Sequence, residues 1–452
     1  MRKYFGTDGV RGVANTELSG RLAYDLGRAG AFVLKKYSRH REQRLKVVIG
    51  SDTRQSKDML KSSLAAGLMS VGADVVDAGV LPTPAVAYLT REWQADLGVV
   101  ISASHNPMEY NGIKFFDSHG LKLADEIEAE IEEFVDSAEK LNDFPTHGAV
   151  GRSLSGQEAE SAYIDFLKHS VEGDLRGMKI VLDTANGAAY RIAPKVFEAL
   201  GAQIVCIANE PDGTNINLQC GSTDTRKLQE RVLSEKADLG LAFDGDADRL
   251  IAVDECGKVV DGDQIMLICA IALKEKQRLN RNALVVTVMS NIGLYQAAKR
   301  YGIEIVTTAV GDRYVLEKML ENKYSLGGEQ SGHMIFFDYN TTGDGVLSGL
   351  KLAEILSHKG KKLSELRKVM QTYPQVLVNA RVKNEHKNAY RSHSQIQSQI
   401  AEIEKKMDGQ GRVLIRPSGT EPLVRVMIEG KDTAEITAMA KELAERLEEC
   451  FG

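Results

Sequence analysis

The pattern of apolar and polar positions repeats three times along the chain. Each copy has an apolar, β-branched strand, a polar turn, an amphipathic helix, a glycine and a second apolar strand. The three copies run over 46–79, 179–207 and 283–306. Gly72, Gly201 and Gly302 stand where each helix would end in a left-handed residue. Because strand, helix and strand follow in this order, each copy predicts a parallel β-α-β unit.

A second helix and a short strand follow each of these units. The tripeptide Asp-Leu-Gly at 96–98 recurs at 238–240, and 326–327 repeats its last two letters. After the short strand comes a different polar motif in each copy, namely ISASHNP, DGDADR and GGEQSGH. Ligands of open parallel sheets bind at the carboxyl ends of the strands. If the three domains face one another, Ser104, Asp244 and Glu329 should therefore point into one cleft.

After about residue 370 the pattern changes to a polar helix, two strands and a last amphipathic helix, which predicts a small α+β domain. It contains a fourth motif, RPSGTEPLVR. The predicted fold class is therefore three related α/β domains with mixed, mostly parallel sheets, followed by a C-terminal α+β domain. The predicted domain boundaries are 1–152, 153–254, 255–370 and 371–452.

Length, composition and charge indicate a globular protein of several domains and argue against a disordered or nucleic-acid-binding one. At 452 residues the chain exceeds the ~250–300 at which one core stops growing, so several domains are expected. With 43% hydrophobic and 27% charged residues it has the composition of a soluble globular protein and not of a disordered one. The 57 basic and 63 acidic residues give a net charge of −6 without a long basic run, so no nucleic-acid partner is expected.

The distribution of apolar residues and cysteines indicates the cellular compartment in which the protein is expected. Nowhere do 18 apolar residues run together, and the first residues contain no apolar segment, so neither a membrane partner nor export is expected. The five cysteines contain no CxxC pair and are interpreted as reduced packing residues. Together these features predict a cytoplasmic protein.

Three aspartates at alternate positions, Asp244, Asp246 and Asp248, form the strongest chemical signal. Carboxylates this close repel one another unless a cation lies between them, and oxygen ligands suit Mg²⁺ or Ca²⁺. A helix-loop-helix calcium loop is disfavoured, because Arg249 occupies the position that needs glycine and both flanks predict strands. A solvated acidic turn stays an alternative. Since Mg²⁺ is usually held by few carboxylates together with a phosphate, this loop predicts a phosphate nearby.

Ser104 lies on a sharp turn after an apolar strand, in GVVISASHNP. Ser, Asn and Pro favour turns for backbone reasons alone, so a purely structural turn is one interpretation. Beside a metal loop, the more economical interpretation is that Ser104 Oγ carries a phosphoryl group, with Lys114 and Arg249 neutralising charge. His105, protonated or neutral, could support the serine by a hydrogen bond or only shape the turn.

Two further loops are candidate ligand sites. Arg416 and Arg425 flank the small residues 418–420, a pattern that suits an oxyanion such as phosphate but also a tight turn with two surface arginines. Glu329, Ser331 and His333 follow paired glycines, and this loop suits neighbouring hydroxyls of a sugar, although a polar loop with a capping glutamate would look similar. Taken alone, Arg11 and Lys114 would be solvated charges.

The four motifs ISASHNP, DGDADR, GGEQSGH and RPSGTEP, in this order, resemble those of the α-D-phosphohexomutase superfamily. FGTDGVRG, SHNPMEYNGIKFF, DGDQIM and VGDRYVLEKM are most similar to its bacterial phosphoglucosamine mutase branch. The resemblance implies a heart-shaped, four-domain enzyme that interconverts glucosamine 6-phosphate and glucosamine 1-phosphate on the way to UDP-N-acetylglucosamine. It also implies a phosphoserine and a glucosamine 1,6-bisphosphate intermediate, with glucosamine or glucose 1,6-bisphosphate as activator.

The resemblance assigns roles residue by residue. It implies that Ser104 is the phosphoserine and that Mg²⁺ is held by Ser104 and the three aspartates. Substrate binding is assigned to the following residues: Arg249, Glu329, Ser331, Arg416, Ser418, Gly419, Thr420 and Arg425. Acid/base or electrostatic roles are assigned to Lys114, Arg11 and His333. The chain departs from the branch at Ala247, where glycine is usual, and a slightly stiffer metal loop is expected there.

Other functions share part of this pattern. A phosphomannomutase or phosphoglucomutase would use the same chemistry on a sugar that differs at C2, and the residues themselves do not decide between these substrates. A non-catalytic sugar-phosphate sensor would not need a complete site, whereas Ser104 and all three aspartates are present. A phosphatase would need a cleft open to water, which a mutase must exclude. The expected partner is a phosphorylated amino sugar, and a homodimer is left open.

Overall fold

A computed structural model describes residues 3–6, 8–37, 43–137, 144–418 and 421–452. Gly419 and Thr420 of the predicted phosphate loop lie outside the described residues. The chain forms two compact units: Met1–Met289 with Ile303–Lys368, and Ser290–Gly302 with Val369–Gly452.

The first sheet of the larger unit has seven strands in the order β1-β2-β6-β5-β3-β4-β7. Its central strands are parallel, because β3 lies between β4 and β5, whereas β6 runs antiparallel to β5. The strands are β1 Phe5–Gly6, β2 Gly9–Val13, β3 Lys46–Ser51, β4 Asp74–Val80, β5 Leu97–Ile101, β6 Tyr110–Asp117 and β7 Ser153–Ser155. The helices of this region are α1 Gly20–Lys35, α2 Lys57–Ser70, α3 Thr83–Glu92 and α4 Asp125–Asp136.

The second sheet has five strands in the order β12-β11-β10-β8-β9. β8 is parallel to both β9 and β10, and β11 is antiparallel to β10. The strands are β8 Lys179–Asp183, β9 Gln203–Ile207, β10 Leu239–Phe243, β11 Leu250–Asp254 and β12 Val259–Val260. The helices are α5 Ala159–His169, α6 Ile192–Ala199 and α7 Arg226–Glu235.

The third sheet has four strands in the order β14-β13-β15-β16, with β13 parallel to its two neighbours and β16 antiparallel to β15. The strands are β13 Ala283–Thr287, β14 Glu304–Thr308, β15 Leu326–Gly328 and β16 Met334–Phe336. The helices from this part of the sequence are α8 Gly262–Glu275, α9 Ile292–Arg300, α10 Asp312–Asn322, α11 Gly345–Lys359 and α12 Leu363–Leu366. Of these, α9 belongs to the second unit.

The second unit contains an antiparallel sheet in the order β17-β19-β18. Its strands are β17 Gln375–Arg381, β18 Arg412–Pro417 and β19 Leu423–Glu429, and its helices α13 Ser394–Lys406 and α14 Thr433–Phe451 follow the predicted pattern. Sequence analysis did not predict β17, although Val376, Val378 and Ala380 alternate along it and pack against one core. Such a short apolar pattern does not by itself distinguish a strand from other structure. The small α+β domain is confirmed with this added strand.

The threefold repeat is confirmed at the level of strand pairing. In each α/β domain the two strands of the repeated unit are parallel, and the short strand that precedes the polar motif is parallel to the first. Gly72, Gly201 and Gly302 all have positive φ, at 88°, 93° and 61°. The antiparallel strand after each motif makes all three sheets mixed.

The cysteines are all free, but one of them does not pack as predicted. Cys220 and Cys269 are buried, whereas Cys256 is exposed because it lies in the turn between β11 and β12. The packing interpretation is therefore wrong for Cys256. Among the described residues, no helix combines the length and the apolar character that a membrane crossing requires.

Candidate active site

Three polar loops begin at the carboxyl ends of equivalent strands. β5 is followed by the loop of Ser104, β10 by Asp244, and β15 by Glu329. Each of these strands lies parallel to the first strand of its repeated unit. The predicted position of the motifs at the carboxyl edge is therefore confirmed.

Ser104 is buried, with 1% of its surface exposed, and its Oγ donates a hydrogen bond to Asp244 Oδ2 at 2.6 Å. Its backbone is left-handed, with φ 52°, a conformation that residues other than glycine rarely adopt. His105 Nδ1 lies 3.3 Å from Ser104 Oγ. Burial and the positive charges of Arg249 and Arg11 lower the pKa of His105 to about 4, so its ring is neutral near pH 7.

The three aspartates form one buried cluster. One oxygen from each of Asp244, Asp246 and Asp248 lies within 4.8 Å of the others. The loop joins β10 to the antiparallel β11, so the helical flanks of a calcium hand are absent here, and its burial excludes a solvated acidic turn. Burial, followed by the charges of Asp248 and Asp246, raises the pKa of Asp244 well above its usual range.

The cluster could hold a divalent cation. Asp246 Oδ1 and Asp248 Oδ1 are buried and have no hydrogen-bond partner among the described residues. Buried polar atoms normally form hydrogen bonds, so two buried carboxylate oxygens without one on the same loop indicate an ion site. All donors are hard oxygen atoms, which is the ligand set that Mg²⁺ and Ca²⁺ prefer.

Lys114 joins the first α/β domain to the aspartate cluster. It lies on β6, is only 2% exposed, and its Nζ is 3.0 Å from Asp246 Oδ2 and 3.7 Å from Asp248 Oδ2. A third carboxylate, Asp8 Oδ2, is 3.3 Å away. Lys114 therefore approaches the cluster through the Oδ2 atoms of Asp246 and Asp248 and compensates part of its negative charge.

A second group of charges surrounds Asp8. Its carboxylate accepts hydrogen bonds from Arg11 and from Lys122 Nζ, the latter at 2.6 Å. Lys122 also bonds to Asp312 at the start of α10. Sequence reasoning missed Asp8, Lys122 and Asp312. Asp8 and Asp312 stand inside FGTDGVRG and VGDRYVLEKM, but nothing in the spacing shows that Lys122 would join them.

His333 lies between the two groups of charges. Its Nδ1 is 3.6 Å from Asp248 Oδ2, and its Nε2 is 3.7 Å from Asp312 Oδ2. The N–H of Gly343 donates to Nε2 at 3.1 Å, which in the neutral ring leaves the proton on Nδ1, towards Asp248. The structure thus places His333 and Lys114 beside the aspartate cluster, and Arg11 beside Asp8, which Lys114 also contacts.

The predicted sugar loop runs beside the end of the metal loop. Arg249 forms a β-bridge with His333, and Leu250 N–H donates to Gly332 O at 3.0 Å. The N–H of Arg249 also donates to Asp244 Oδ1 at 3.1 Å. Glu329 is half-buried and accepts from the N–H of Gly311 at 3.2 Å, whereas Ser331 is exposed.

The described residues of the predicted phosphate loop lie in the second unit. Arg416 on β18 pairs directly opposite Arg425 on β19. The N–H of Ser418 donates to Leu423 O at 2.9 Å, and its Oγ accepts from the N–H of Glu421 at 3.2 Å. These residues therefore meet at one end of the three-stranded sheet, with both arginines half-buried.

Ala247, where the chain departs from the family pattern, has a backbone conformation that favours glycine. Ala247 is fully buried and left-handed, with φ 55°, a conformation in which glycine would be free of steric cost. The expected stiffer loop stays a prediction.

Family models match the chain in four consecutive segments. They are described as phosphoglucomutase/phosphomannomutase α/β/α domain I (residues 2–142), domain II (161–257) and domain III (261–373), and the C-terminal domain (377–446). Among solved structures, a phosphoglucomutase/phosphomannomutase family protein from Burkholderia thailandensis is 24% identical with a TM-score of 0.81, covering 98% of each chain. At this identity the likeness concerns the fold alone.

Curated relatives share much more of the sequence. A phosphoglucosamine mutase of Clostridioides difficile (strain 630) is 61% identical over 99% of both chains. Another, of Alkaliphilus metalliredigens (strain QYMF), is 55% identical over the full length of both. With four family domains in the expected order and this identity over its whole length, the chain belongs to the phosphoglucosamine mutases of the α-D-phosphohexomutase superfamily.

Proposed function

We propose that this chain catalyses the reversible interconversion of glucosamine 6-phosphate and glucosamine 1-phosphate. The observation that carries the proposal is the position of Ser104 Oγ, 2.6 Å from Asp244 in a buried cluster of three aspartates, two of whose oxygens have no hydrogen bond. The full-length identity to phosphoglucosamine mutases supports the choice of substrate. The reaction would supply a precursor of UDP-N-acetylglucosamine in the cytoplasm.

The reaction consists of two opposite phosphoryl transfers on one serine. In the first, the bond between phosphorus and Ser104 Oγ breaks and a bond to the free hydroxyl of the sugar forms, while that hydroxyl loses its proton to the enzyme. The product is glucosamine 1,6-bisphosphate. After the intermediate has turned over in the site, its other phosphoryl group passes to Ser104 Oγ, and the sugar oxygen that it leaves takes up a proton. The phosphoserine is restored, and the net reaction is an isomerisation.

Electrostatic compensation and positioning are the main requirements of phosphoryl transfer. Asp244, Asp246 and Asp248 would hold Mg²⁺ together with the phosphoserine, and the cation would neutralise charge on the transferring group. Lys114 and Arg249 add fixed positive charge, since Lys114 Nζ lies 3.0 Å from Asp246 Oδ2 and Arg249 Nε lies 3.8 Å from Asp248 Oδ1. Arg11 cannot lose its proton in a protein, so we assign it charge compensation and leave Lys114 and His333 to exchange the proton.

The sugar and its non-reacting phosphate would be bound by separate loops. We assign binding of the sugar hydroxyls to Glu329 and Ser331. Glu329 is half-buried and Ser331 is exposed. The non-reacting phosphate is assigned to the loop in RPSGTEPLVR, that is, to Arg416, Ser418, Gly419, Thr420 and Arg425. Paired guanidinium groups and small residues suit this anion. Glucosamine or glucose 1,6-bisphosphate would act as activator by phosphorylating Ser104.

A substrate panel tests the proposal. The purified protein, with Mg²⁺ and a catalytic amount of glucose 1,6-bisphosphate, is assayed with the 1-phosphates of glucosamine, glucose and mannose in coupled reactions. We expect the highest kcat/KM with glucosamine 1-phosphate. A clear preference for glucose 1-phosphate or mannose 1-phosphate would instead indicate a phosphoglucomutase or phosphomannomutase. Net release of inorganic phosphate as the main product would indicate a phosphatase.

A further inference from the structure

The backbone that carries Ser104 is held by two side chains from different parts of the sequence. Arg54 follows β3 and is fully buried, and Asn217 lies in the loop between β9 and α7. Arg54 Nη2 and Asn217 Nδ2 each donate to the carbonyl oxygen of Ser104 at 2.9 Å. We propose that Arg54 and Asn217 are positioning residues for phosphoryl transfer, which keep the Ser104 peptide in the conformation that directs Oγ at Asp244. This inference rests on the proposed function.

Arg54 bonds to more of this loop than to Ser104 alone. Its guanidinium also donates to the carbonyl oxygens of Asn106, at 2.8 Å, and of Pro107. Its charge is balanced by Asp52, whose Oδ2 lies 2.9 Å from Arg54 Nε. A guanidinium with several donors in one plane can bridge three carbonyls at once, which an ammonium cannot do in the same geometry.

The backbone N–H of Ser104 is held as well. Ser104 N–H donates to Ser102 Oγ at 2.9 Å, and Ser102 Oγ donates to Asp52 Oδ2 at 2.6 Å. The Asp52–Arg54 pair therefore restrains the peptide groups on both sides of the Ser104 Cα.

Asn217 brings the second α/β domain to the same carbonyl. Its Nδ2 also donates to Asn106 O at 3.1 Å, and its own backbone is left-handed, with φ 58°. Next to it, a Cβ on Gly245 would lie 2.5 Å from Ser104 O. The Ser104 carbonyl is thus enclosed by Arg54 of the first domain, by Asn217 of the second domain and by Gly245 of the metal loop.

This arrangement explains how a serine keeps a left-handed backbone. Such a conformation persists in a non-glycine residue only where its surroundings determine it, and observed cases cluster at functional sites. Rates of phosphoryl transfer depend on alignment, and a misplacement of about 1 Å can cost about a hundredfold. Neither Arg54 nor Asn217 bonds to the carboxylates of the aspartate cluster, so their effect should be on alignment and not on the affinity for the cation.

The test compares Asn217→Gly with Asn215→Ala, each measured with the best substrate of the wild-type panel. Glycine adopts the left-handed backbone at 217 without steric cost, and the substitution removes the amide together with Cβ. Asn215 is a matched control, because its side chain bonds to Glu210 O and Asp212 N within the same loop. We expect Asn217→Gly to lower kcat, and the single-turnover rate of transfer from phosphoserine in rapid quench, about tenfold. KM and the Mn²⁺ affinity by electron paramagnetic resonance should change less than about twofold, and Asn215→Ala should keep the wild-type kcat.

Arg54→Lys is the second variant, because it keeps the charge opposite Asp52 and loses the fork of donors. We expect it to lower kcat about a hundredfold. If Arg54→Lys shows no cooperative unfolding transition, the comparison of Asn217→Gly with Asn215→Ala alone tests the inference. A wild-type kcat in Asn217→Gly, an equal loss in Asn215→Ala, or a parallel loss of Mn²⁺ affinity would overturn the inference and leave the mutase function standing. A wild-type chain that neither carries nor transfers a phosphoryl group would overturn both.

Discussion

Ser104 Oγ and Asp244 Oδ2 are 2.6 Å apart, although 140 residues separate them in the sequence. The two residues follow β5 and β10, the equivalent strands of two repeated domains. A repeated fold can therefore build one reaction centre by placing a different motif at the same structural position in each copy.

Ser104 should be the nucleophile of the reaction. Ser104→Ala should remove the phosphoryl group from the protein and abolish mutase activity, because no other serine of the described site bonds to an aspartate of the cluster. Intact-mass spectrometry of the purified protein and the coupled assay measure the two effects. Ser161→Ala, on the exposed side of α5, is the control and should keep both. Near-normal turnover in Ser104→Ala would contradict the mechanism.

Activity should depend on a divalent cation at the aspartate cluster. Asp246→Asn and treatment with a chelator should each lower kcat by more than about a hundredfold, since a metal at such a site stabilises transition-state charge by several kcal/mol. Mg²⁺ should restore the chelated wild type and not the variant. Asp165→Asn, on α5, serves as control. An undiminished rate in excess chelator would exclude the proposed role of the aspartate cluster.

Thr83 should tune the affinity for the cation. At the first residue of α3, its Oγ1 donates to Asp246 Oδ2 at 2.7 Å, and its N–H donates to Asp246 O at 2.9 Å. Loss of a group that orients a metal ligand typically costs about 10–100-fold in affinity. We expect Thr83→Val to weaken Mn²⁺ binding about tenfold in titrations followed by electron paramagnetic resonance. Thr90→Val is the matched control, because the Thr90 hydroxyl bonds to Val86 O within the same helix. Equal affinities of the two variants would refute this role.

Gly245 should not tolerate a side chain. An alanine Cβ there would lie 2.5 Å from Ser104 O and 2.9 Å from Asn217 Nδ2, so the metal loop and the serine loop would have to separate. We expect Gly245→Ala to lower kcat by more than about tenfold, as a displacement of the reacting groups would. Gly148→Ala, where a Cβ meets nothing within 4 Å, should be neutral. The coupled assay and thermal unfolding of both variants check the comparison.

The stability of the protein should depend on Asp344 between about pH 4 and pH 6. Burial raises the pKa of Asp344 from 3.8 to about 6 in the folded chain. The folded state therefore binds more protons than the unfolded state in this range, and stability present below pH 3.8 is lost as the pH rises through 6. The shift corresponds to about 3 kcal/mol.

Asp344→Asn should remove this part of the pH dependence. Asparagine keeps an acceptor for the N–H of Leu347 at the start of α11, so the helix cap is retained. Its absolute stability is expected to be lower, because the Tyr163 hydroxyl and the Asn340 amide both donate to Asp344 Oδ2. Urea unfolding of both proteins at several pH values, in the presence of chelator, measures how the free energy of unfolding changes with pH. If this free energy changes with pH in the same way in the variant and the wild type, Asp344 does not titrate in this range.

Local pattern was enough to predict the repeated units and the position of their motifs. The apolar runs, the glycines at 72, 201 and 302, and the change of pattern after residue 370 are properties of neighbouring residues, and the structure confirms each of them. The strand β17 was missed although its apolar residues alternate, because so short an apolar pattern does not by itself identify a strand. The residues nearest to Ser104 in sequence also say nothing about Arg54, 50 positions away, which bonds to the Ser104 carbonyl.

The amino-acid sequence by itself determined the kinds of chemistry that this protein can perform, because residue type fixes which oxygen ligands, hydroxyl groups and guanidinium donors the chain can offer to a cation or a phosphate. The tertiary structure alone decided which charges meet. Lys114, which would be solvated on an isolated strand, is buried among Asp8, Asp246 and Asp248, and the left-handed Ser104 is held by Arg54 and Asn217. These contacts join residues far apart in the chain, and only the packing of complete domains brings them within hydrogen-bond distance.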